Sequence, residues 1–303
     1  MRFALGLPTT EVDAPEEFLT GPAIAEMARH AEELGFDAVH VTDHPAGDHQ
    51  WLVTGGHHAL DPFVALSFAA AATTTLRVQT HIVVLPYRNP FLTAKSVLSL
   101  DVLSGGRLTF GVAAGYLRSE FNALGVDYDE RNELFDEAIE VMRLALTEDA
   151  VAYTGRHFRS RGTTMRPRPV QQPCPPIWIG GNSLRAMRKA VEVADGWCPF
   201  PNPASTSPAL KTPTLETLDE FATRVEKARE YATEIGRSAP FDICFAPLST
   251  STLAGRSDRS ALRDELAAYK DLGVTQVPVG VHDASTRQEW LAKTERLAAD
   301  VMS

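Results

Sequence analysis

The segment Thr42-Asp43-His44 places a carboxylate beside an imidazole, a pair that could do acid–base chemistry. A histidine with an ordinary pKa donates or accepts a proton near neutral pH, and an adjacent carboxylate can hold its charge or its tautomer. The segment closes an apolar run that starts at Ala38. Both side chains are therefore expected where a strand ends.

The same stretch raises the question of a metal site, because four potential ligands are close in sequence: His40, His44, Asp48 and His49. A strand sends His40 and His44 to one face only if it stays extended over five residues. A third ligand would have to come from another strand; His81 could serve, but no other strand end offers the usual Asp or His. We therefore predict no metal ligands. Three loop histidines are expected to be solvated: His49, His57 and His58.

A second histidine lies inside an apolar strand, in Thr80-His81-Ile82. Taken alone, such a histidine is more often a hydrogen-bonded core residue than a catalyst. Glycine-rich strand ends follow at Gly111–Tyr116 and at Gly180-Gly181-Asn182-Ser183. The second runs into a helix whose first N–H groups could bind a phosphate, with positive charge nearby from Arg185 and Arg188. The alternative is a plain strand-to-helix turn with Ser183 as its cap.

Composition sets limits on the class of protein. The chain has 303 residues, of which 44% are hydrophobic and 22% charged, with a net charge of −10. A net-negative surface argues against nucleic acid or an anionic membrane as the main partner. No run of about 18 apolar residues is present, and the first residues do not resemble a secretory signal. The three cysteines are far apart, which argues against a disulfide framework or a cysteine zinc site. We expect a reducing, cytoplasmic location.

Short apolar runs alternate with helical patterns from end to end. The predicted strands are Phe3–Leu7, Ala38–Thr42, Leu76–Val84, Leu108–Ala113, Ile177–Ile179, Gly196–Pro199, Phe241–Ala246 and Thr275–Gly280. The predicted helices are Ala23–Leu34, one opening at Asp61-Pro62, Pro90–Leu103, Glu130–Leu146, Leu184–Val193, Leu215–Ile235, Arg259–Leu272 and Ser285–Ala299. An inserted loop or hairpin at about 150–175 and a loop at about 200–213 interrupt this alternation of strands and helices.

Eight strand–helix units predict parallel strands that close into a (β/α)8 barrel. A doubly wound sheet would normally carry a GxGxxG turn after its first strand, but Gly6-Leu7-Pro8-Thr9-Thr10 has one glycine. We therefore predict a TIM barrel, with residues 1–303 as a single domain. In such a barrel the functional residues lie at the carboxyl ends of the strands.

At these residues the sequence resembles the luciferase-like monooxygenase superfamily, in its branch that depends on coenzyme F420. The matching segments run in family order: Ala31–His44, Thr80–Pro90, Leu100–Gly115, Glu120–Arg131, Pro175–Ser183 and Ala194–Trp197. Each segment alone is loose, but six in order are specific. The likeness covers about Met1 to Pro199 and is weak beyond.

The resemblance implies a deazaflavin or isoalloxazine ring in the barrel mouth. It implies a cis peptide bond at His81–Ile82, Asp43 and His44 along the ring as catalytic residues, and His44 as the proton donor or acceptor. The implied cofactor-binding residues are Thr80, His81, Ile82, Gly115, Tyr116, Gly180, Gly181, Asn182, Ser183 and Arg185, the last five around the phosphate.

The sequence departs from the family pattern at two places, and the second bears on the class of substrate. The first glycine loop reads Gly-Val-Ala-Ala-Gly where relatives often have Gly-Val-Gly-Xaa-Gly. Tyr116 stands where the sugar-phosphate dehydrogenases of the superfamily have an acidic glutamate. This argues against a sugar-phosphate substrate and leaves Tyr116 as a candidate ring or substrate contact.

The function expected from the resemblance is hydride transfer between C5 of F420 and a small organic substrate. Specificity would come from Trp51, Tyr116 and the loops Arg156–Arg168 and Pro201–Pro213. The alternative is a monooxygenase that uses FMN reduced by a separate reductase. Two further classes stay open: a metal-dependent hydrolase and a non-catalytic flavin-binding protein. By analogy with relatives we expect a homodimer.

Overall fold

The computed structural model describes residues 1–251, 258 and 260–302. Its strands are β1 (Arg2–Gly6), β2 (Ala38–Val41), β3 (Arg77–Val84), β4 (Leu108–Ala113), β5 (Val151–Thr154), β6 (Arg159–Thr163), β7 (Ile177–Gly180), β8 (Gly196–Cys198), β9 (Asp242–Ile243) and β10 (Gln276–Val279). Its α-helices are α1 (Pro15–Phe18), α2 (Gly21–Glu33), α3 (His49–Val53), α4 (Pro62–Ala72), α5 (Pro90–Leu103), α6 (Arg118–Ala123), α7 (Arg131–Thr147), α8 (Leu184–Val193), α9 (Ser207–Leu210), α10 (Leu218–Glu234), α11 (Leu262–Asp271) and α12 (Arg287–Met302).

Eight parallel strands form one sheet in the order β10-β1-β2-β3-β4-β7-β8-β9. The two edge strands meet, because Cys244 bridges to Gln276 and the Thr275 N–H donates to the Ile243 carbonyl over 2.9 Å. The sheet therefore closes on itself with helices around it. The predicted (β/α)8 barrel is confirmed.

Local signals explain where the helices begin. The Asp61 carboxylate accepts from the N–H groups of Phe63 and Val64 at the start of α4, which has Pro62 in its first turn. Helix α10 begins at Leu218, inside the predicted range from Leu215, since a capping box fixes its first turn. None of the helices in the described part of the chain is long and apolar enough to cross a membrane.

The end of the barrel away from the mouth is filled by polar side chains. Arg2 forms an ion pair with Asp242 at 2.6 Å, and the buried side-chain amide of Gln276 donates to that of Gln79. The ion pair joins β1 to β9 on either side of β10, and the amide pair joins β10 to β3 through the barrel interior. They close the lower end, so the opposite end is left for function.

The segment at 150–175 holds the antiparallel hairpin β5–β6, in agreement with the insertion predicted there. The structure differs from the predicted elements elsewhere. Short helices α1, α3, α6 and α9 lie in stretches not predicted as helical, because periodicity over four to six residues is too brief to recognise. Strand β9 is shorter than predicted, and the predicted start of the seventh helix at Arg259 lies outside the described residues.

Candidate active site at the barrel mouth

His44 lies just past the carboxyl end of β2 and contacts a buried carboxylate on α6. Its Nδ1 is 3.3 Å from Oε2 of Glu120, and the His44 side chain is 8% exposed. Since an ionised carboxylate only accepts hydrogen bonds, the neutral histidine carries its proton on Nδ1. The other ring nitrogen, Nε2, is then the acceptor.

Glu120 is fully buried and is hydrogen-bonded to three groups, two from the loop after β2 and one from the turn after β3. Besides His44, the Ala46 N–H donates to its Oε1 over 3.2 Å and the Tyr87 hydroxyl donates to its Oε2 over 2.9 Å. Burial raises the pKa of Tyr87 above its usual value, and the charge of Glu120 raises it further. Tyr87 therefore stays protonated as a donor, and the buried carboxylate is held in place by hydrogen bonds.

On its other side His44 faces aromatic residues at the mouth. The Tyr116 hydroxyl is 3.4 Å from Nε2 of His44, and the rings of Trp51 and His57 lie 4.5 Å and 4.8 Å from the His44 ring. Gly115 has a φ of +81°, a conformation that favours glycine and turns the chain toward Tyr116. His57 is partly exposed and packs against His44 and Trp51, so it is less solvated than predicted, whereas His49 and His58 are exposed as predicted.

Asp43 is buried at 2% exposure but does not hold His44. Its Oδ2 accepts from the Val84 N–H over 3.0 Å and its Oδ1 accepts from Arg88 over 2.9 Å. Burial raises the pKa of Asp43, while Arg88 and the Val84 N–H oppose that rise. The carboxylate bonded to His44 is therefore Glu120, and Asp43 instead fixes the end of β3.

Strand β3 is irregular where it passes the mouth. The His81–Ile82 peptide bond is cis, as the resemblance implies, and the pairing with β4 shifts register between Thr80 and Val83. The Thr80 hydroxyl bonds both the carbonyl and the N–H of Gly111 at 2.8 Å. The side chain of Ile82 then crosses the barrel toward Gly180. Thr80 and Ile82 thus shape the floor of the mouth.

Glycine is required at two positions of this floor because other residues of the protein pack closely against the backbone there. A Cβ on Gly180 would lie 2.0 Å from Cδ1 of Ile82, and a Cβ on Gly111 would lie 2.2 Å from the Thr80 carbonyl oxygen. Close approach of the backbone is required, as the sequence indicates. The group that approaches is a β3 residue in both cases.

His81 points into the barrel beside His40, with ring centroids 4.9 Å apart. Its Nδ1 is buried without a hydrogen-bond partner among the described residues. Burial lowers the pKa of His81 to about 4, so the ring is neutral at neutral pH. The expectation of a hydrogen-bonded core histidine is not met at that nitrogen.

The segment predicted to hold a phosphate is partly engaged with the protein. The Gly181 N–H donates to the Cys198 carbonyl over 3.2 Å, and the Asn182 side chain is bonded to Phe200 and Pro213. Ser183 caps α8 by accepting from the Ala186 N–H.

Arg185 is 2.6 Å from Asp136, so part of its charge is neutralised. The N–H groups in the first turn of α8, such as that of Leu184, have no acceptor within the helix. An anionic tail would be held by these N–H groups and not by the N–H of Gly181.

The residues at the mouth fit the implied ring cofactor. A partly exposed floor at His81 and Ile82 is flanked by His44 and Tyr116, and the free N–H groups of α8 lie at the end of β7 on the same rim. This arrangement can orient a planar ring, exclude water and move a proton. Sequence reasoning missed Tyr87 and the role of Glu120, although Glu120 opens one of the segments that carry the family likeness. No spacing rule ties it to His44, 76 residues away.

Comparisons with known proteins identify relatives of this chain. An uncharacterized protein of Mycobacterium tuberculosis is 29% identical over 268 residues, covering 84% of this chain and 83% of that protein. The FMNH(2)-dependent dimethylsulfone monooxygenase of Pseudomonas putida is 31% identical over 177 residues, covering 56% of this chain and 46% of that protein.

Two solved structures share the fold. The monooxygenase RslO1 from Streptomyces bottropensis matches with a TM-score of 0.77 and 22% identity, covering 100% of this chain and 99% of that one. The coenzyme F420-dependent tetrahydromethanopterin reductase from Methanopyrus kandleri matches with a TM-score of 0.72 and 18% identity, covering 99% and 98%. The model of the luciferase-like monooxygenase family matches residues 1–301. The chain therefore belongs to the luciferase-like monooxygenase family, whose members are oxidoreductases.

Proposed function

We propose that this chain is an F420-dependent oxidoreductase that transfers a hydride between C5 of the deazaflavin and a small organic substrate. The observation that carries the proposal is the chain of contacts Glu120–His44–Tyr116 at the mouth. A reversible hydride transfer to a carbonyl needs one proton at oxygen, and His44 is placed to supply or remove it. When bound, the cofactor supplies the hydride chemistry.

The residues around His44 have distinct tasks in this proposal. Nε2 of His44 exchanges the proton with the substrate or with the Tyr116 hydroxyl, while Nδ1 stays bonded to Glu120. The buried carboxylate stabilises the imidazolium form and fixes the ring orientation. Asp43 is a positioning residue, since it holds Arg88 and the end of β3. Trp51 limits access of water to His44.

Cofactor binding would use the floor and the rim together. Thr80, His81 and Ile82 would lie under the ring, with Gly115 and Tyr116 at its edge. The phosphate would be held near Gly180–Ser183 by N–H groups in the first turn of α8, with Arg185 as a partly neutralised cation. The affinity for the cofactor's phosphate would then depend more on backbone N–H groups than on Arg185.

A second function is favoured by the relative from Pseudomonas putida, whose name specifies FMNH(2). In that case the chain would be a two-component monooxygenase, using O₂ and FMN reduced by a separate reductase. The same barrel mouth would serve both cofactors. They differ in the ring atom at position five, which is nitrogen in FMN and carbon in the deazaflavin, and this atom determines which of the two reactions the bound ring supports.

Titration of the purified protein with F420 and with FMN, oxidised and reduced, tests the proposal through quenching of cofactor fluorescence. We expect micromolar binding of F420 and weaker binding of FMN; the reverse order supports the monooxygenase. His44→Asn should bind the cofactor normally and lose turnover, whereas exposed His49→Asn should keep both. Failure to bind either cofactor at micromolar levels, or full turnover in His44→Asn, would refute the assignment.

We also propose a cytoplasmic homodimer, by analogy with relatives. Sedimentation of the purified chain at several concentrations tests the dimer. A monomer at tens of micromolar would exclude it.

A further inference from the structure

Two cysteines and a histidine meet inside the barrel, below the mouth. In the pairing of β8 with β9, Gly196 is opposite Asp242 and Trp197 is opposite Ile243. The next pair in this register is Cys198 and Cys244. The two Sγ atoms and a ring nitrogen of His81, from β3, all lie within 4.8 Å of one another.

The two thiols of this cluster are shielded from water, and the histidine lacks a hydrogen-bond partner. Cys198 is 1% exposed and Cys244 is 0% exposed, while His81 as a whole is partly exposed. Nδ1 of His81 is nevertheless buried without a partner among the described residues. An unsatisfied buried polar atom costs about 1–3 kcal/mol, and one in a ring beside a pair of thiols calls for an explanation.

We propose that Cys198, Cys244 and His81 bind a zinc ion, with its fourth tetrahedral position open. Thiolate and imidazole are the ligands that Zn²⁺ prefers, whereas Ca²⁺ and Mg²⁺ prefer oxygen. Tetrahedral zinc with bonds of about 2.0–2.3 Å sets its ligand atoms about 3.5–3.8 Å apart. A separation of at most 4.8 Å thus needs a contraction of about 1 Å.

The charges of the site agree with a divalent cation. Two thiolates carry the charge that Zn²⁺ neutralises, and the imidazole of His81 binds as a neutral ring. Binding releases one proton from each thiol to solvent and leaves no uncompensated charge in the barrel.

His40 is a neighbour of this site and not a ligand. Its ring centroid is 4.9 Å from that of His81, but its Nε2 lies against Gly6 of β1, 3.4 Å from where a Cβ would stand. The ion would link β3 to β8 and β9 across the barrel, directly beneath the His81–Ile82 peptide.

This site was not apparent in the sequence because its ligands have no motif spacing. Cys198 and Cys244 are far apart along the chain and become neighbours only through the register of two barrel strands. His81 joins them from the opposite wall.

Metal content and cobalt spectroscopy test the proposal independently of any cofactor. The purified full-length protein is stripped with a chelator, reloaded with ZnCl₂ and desalted, and zinc per chain is measured by mass spectrometry. Parallel loading with Co²⁺ is followed by absorbance, because thiolate ligation gives a charge-transfer band in the near ultraviolet and tetrahedral geometry gives intense visible bands. The variants are Cys198→Ser and Cys244→Ser, and the control is Cys174→Ser, a buried cysteine outside the cluster.

We expect about one zinc per chain in the wild type and in Cys174→Ser, with the cobalt bands in both. Each of the other two variants should lose the bands and at least nine-tenths of the metal. Absence of both zinc and cobalt bands in the wild type would overturn the proposal, and so would equal loss in Cys174→Ser. Should a cluster variant fail to fold, the wild-type cobalt spectrum alone decides. Cofactor titration is a separate readout, so failure of the zinc site leaves the proposed function untouched.

Discussion

Replacing Glu120 by glutamine would change the tautomer of His44. The glutamine oxygen can still accept from the Ala46 N–H, but its NH₂ group takes the place of Oε2, which now faces Nδ1 of His44. An amide NH₂ donates, so Nδ1 must become the acceptor and the histidine proton moves to Nε2. His44 then lacks the carboxylate that stabilises its protonated form.

The size of the effect follows from the bonds that Oε2 makes. Hydrogen bonds to a charged group contribute about 1.5–3 kcal/mol, against about 0.5–1.5 kcal/mol for neutral pairs, and Oε2 accepts from both His44 and Tyr87. Removal of a buried charge offsets part of that loss. We expect Glu120→Gln to lower the free energy of unfolding by about 1–3 kcal/mol and to lower turnover by about 10²–10⁴-fold.

Long-range ¹H–¹⁵N NMR of the histidine rings reports the tautomer directly, with His44→Asn used to assign the His44 signals. Tyr87→Phe is the matched control, because it removes one donor to Glu120 and keeps the carboxylate. We expect the Nδ1–H form in the wild type and in Tyr87→Phe, and the Nε2–H form in Glu120→Gln. The same tautomer in all three proteins would refute the assigned role of Glu120.

Two further predictions concern stability. Gly180→Ala should lower the free energy of unfolding by about 1–3 kcal/mol, because its Cβ would overlap Ile82. In urea unfolding, the double variant with Ile82→Val should recover about half of that loss. Strictly additive effects of the two substitutions would contradict this explanation. Burial alone would raise the pKa of Glu32, but the N–H groups of 74–76 lower it to about 2. Because the folded-state pKa lies below the ordinary 4.5, this stabilisation is complete above pH 4.5 and is lost as the pH falls toward 2. Glu32→Gln should therefore lower stability by about 1–2 kcal/mol at pH 7 and progressively less in acid, with exposed Glu33→Gln as the unchanged control; a difference independent of pH would disprove the cause.

The barrel itself could be predicted because each strand–helix unit carries local signals. Asp61-Pro62 marks a helix start, and the buried parallel strands are short apolar runs. The insertion that forms β5 and β6 was recognisable by its lack of helical periodicity. The single-domain organisation stays a prediction.

The active site could be predicted only in part. His44 was found because it follows a strand end, and the cis bond at His81–Ile82 followed from the family likeness. Its partner Glu120 was not found, since the contact depends on how α6 folds back over the mouth. The sequence suggested Asp43, which is adjacent in the chain, but adjacent side chains on an extended backbone point in different directions.

Closure of the barrel depends on its shortest strand. Strand β9 spans only Asp242–Ile243, and its junction with β10 rests on a bridge at Cys244 and a few backbone hydrogen bonds among the described residues. Transient opening begins where little backbone pairing must break. Amide protons near Phe245 should thus exchange with deuterium sooner than those of β3 and β4, and a zinc ion held by Cys244 would slow that exchange.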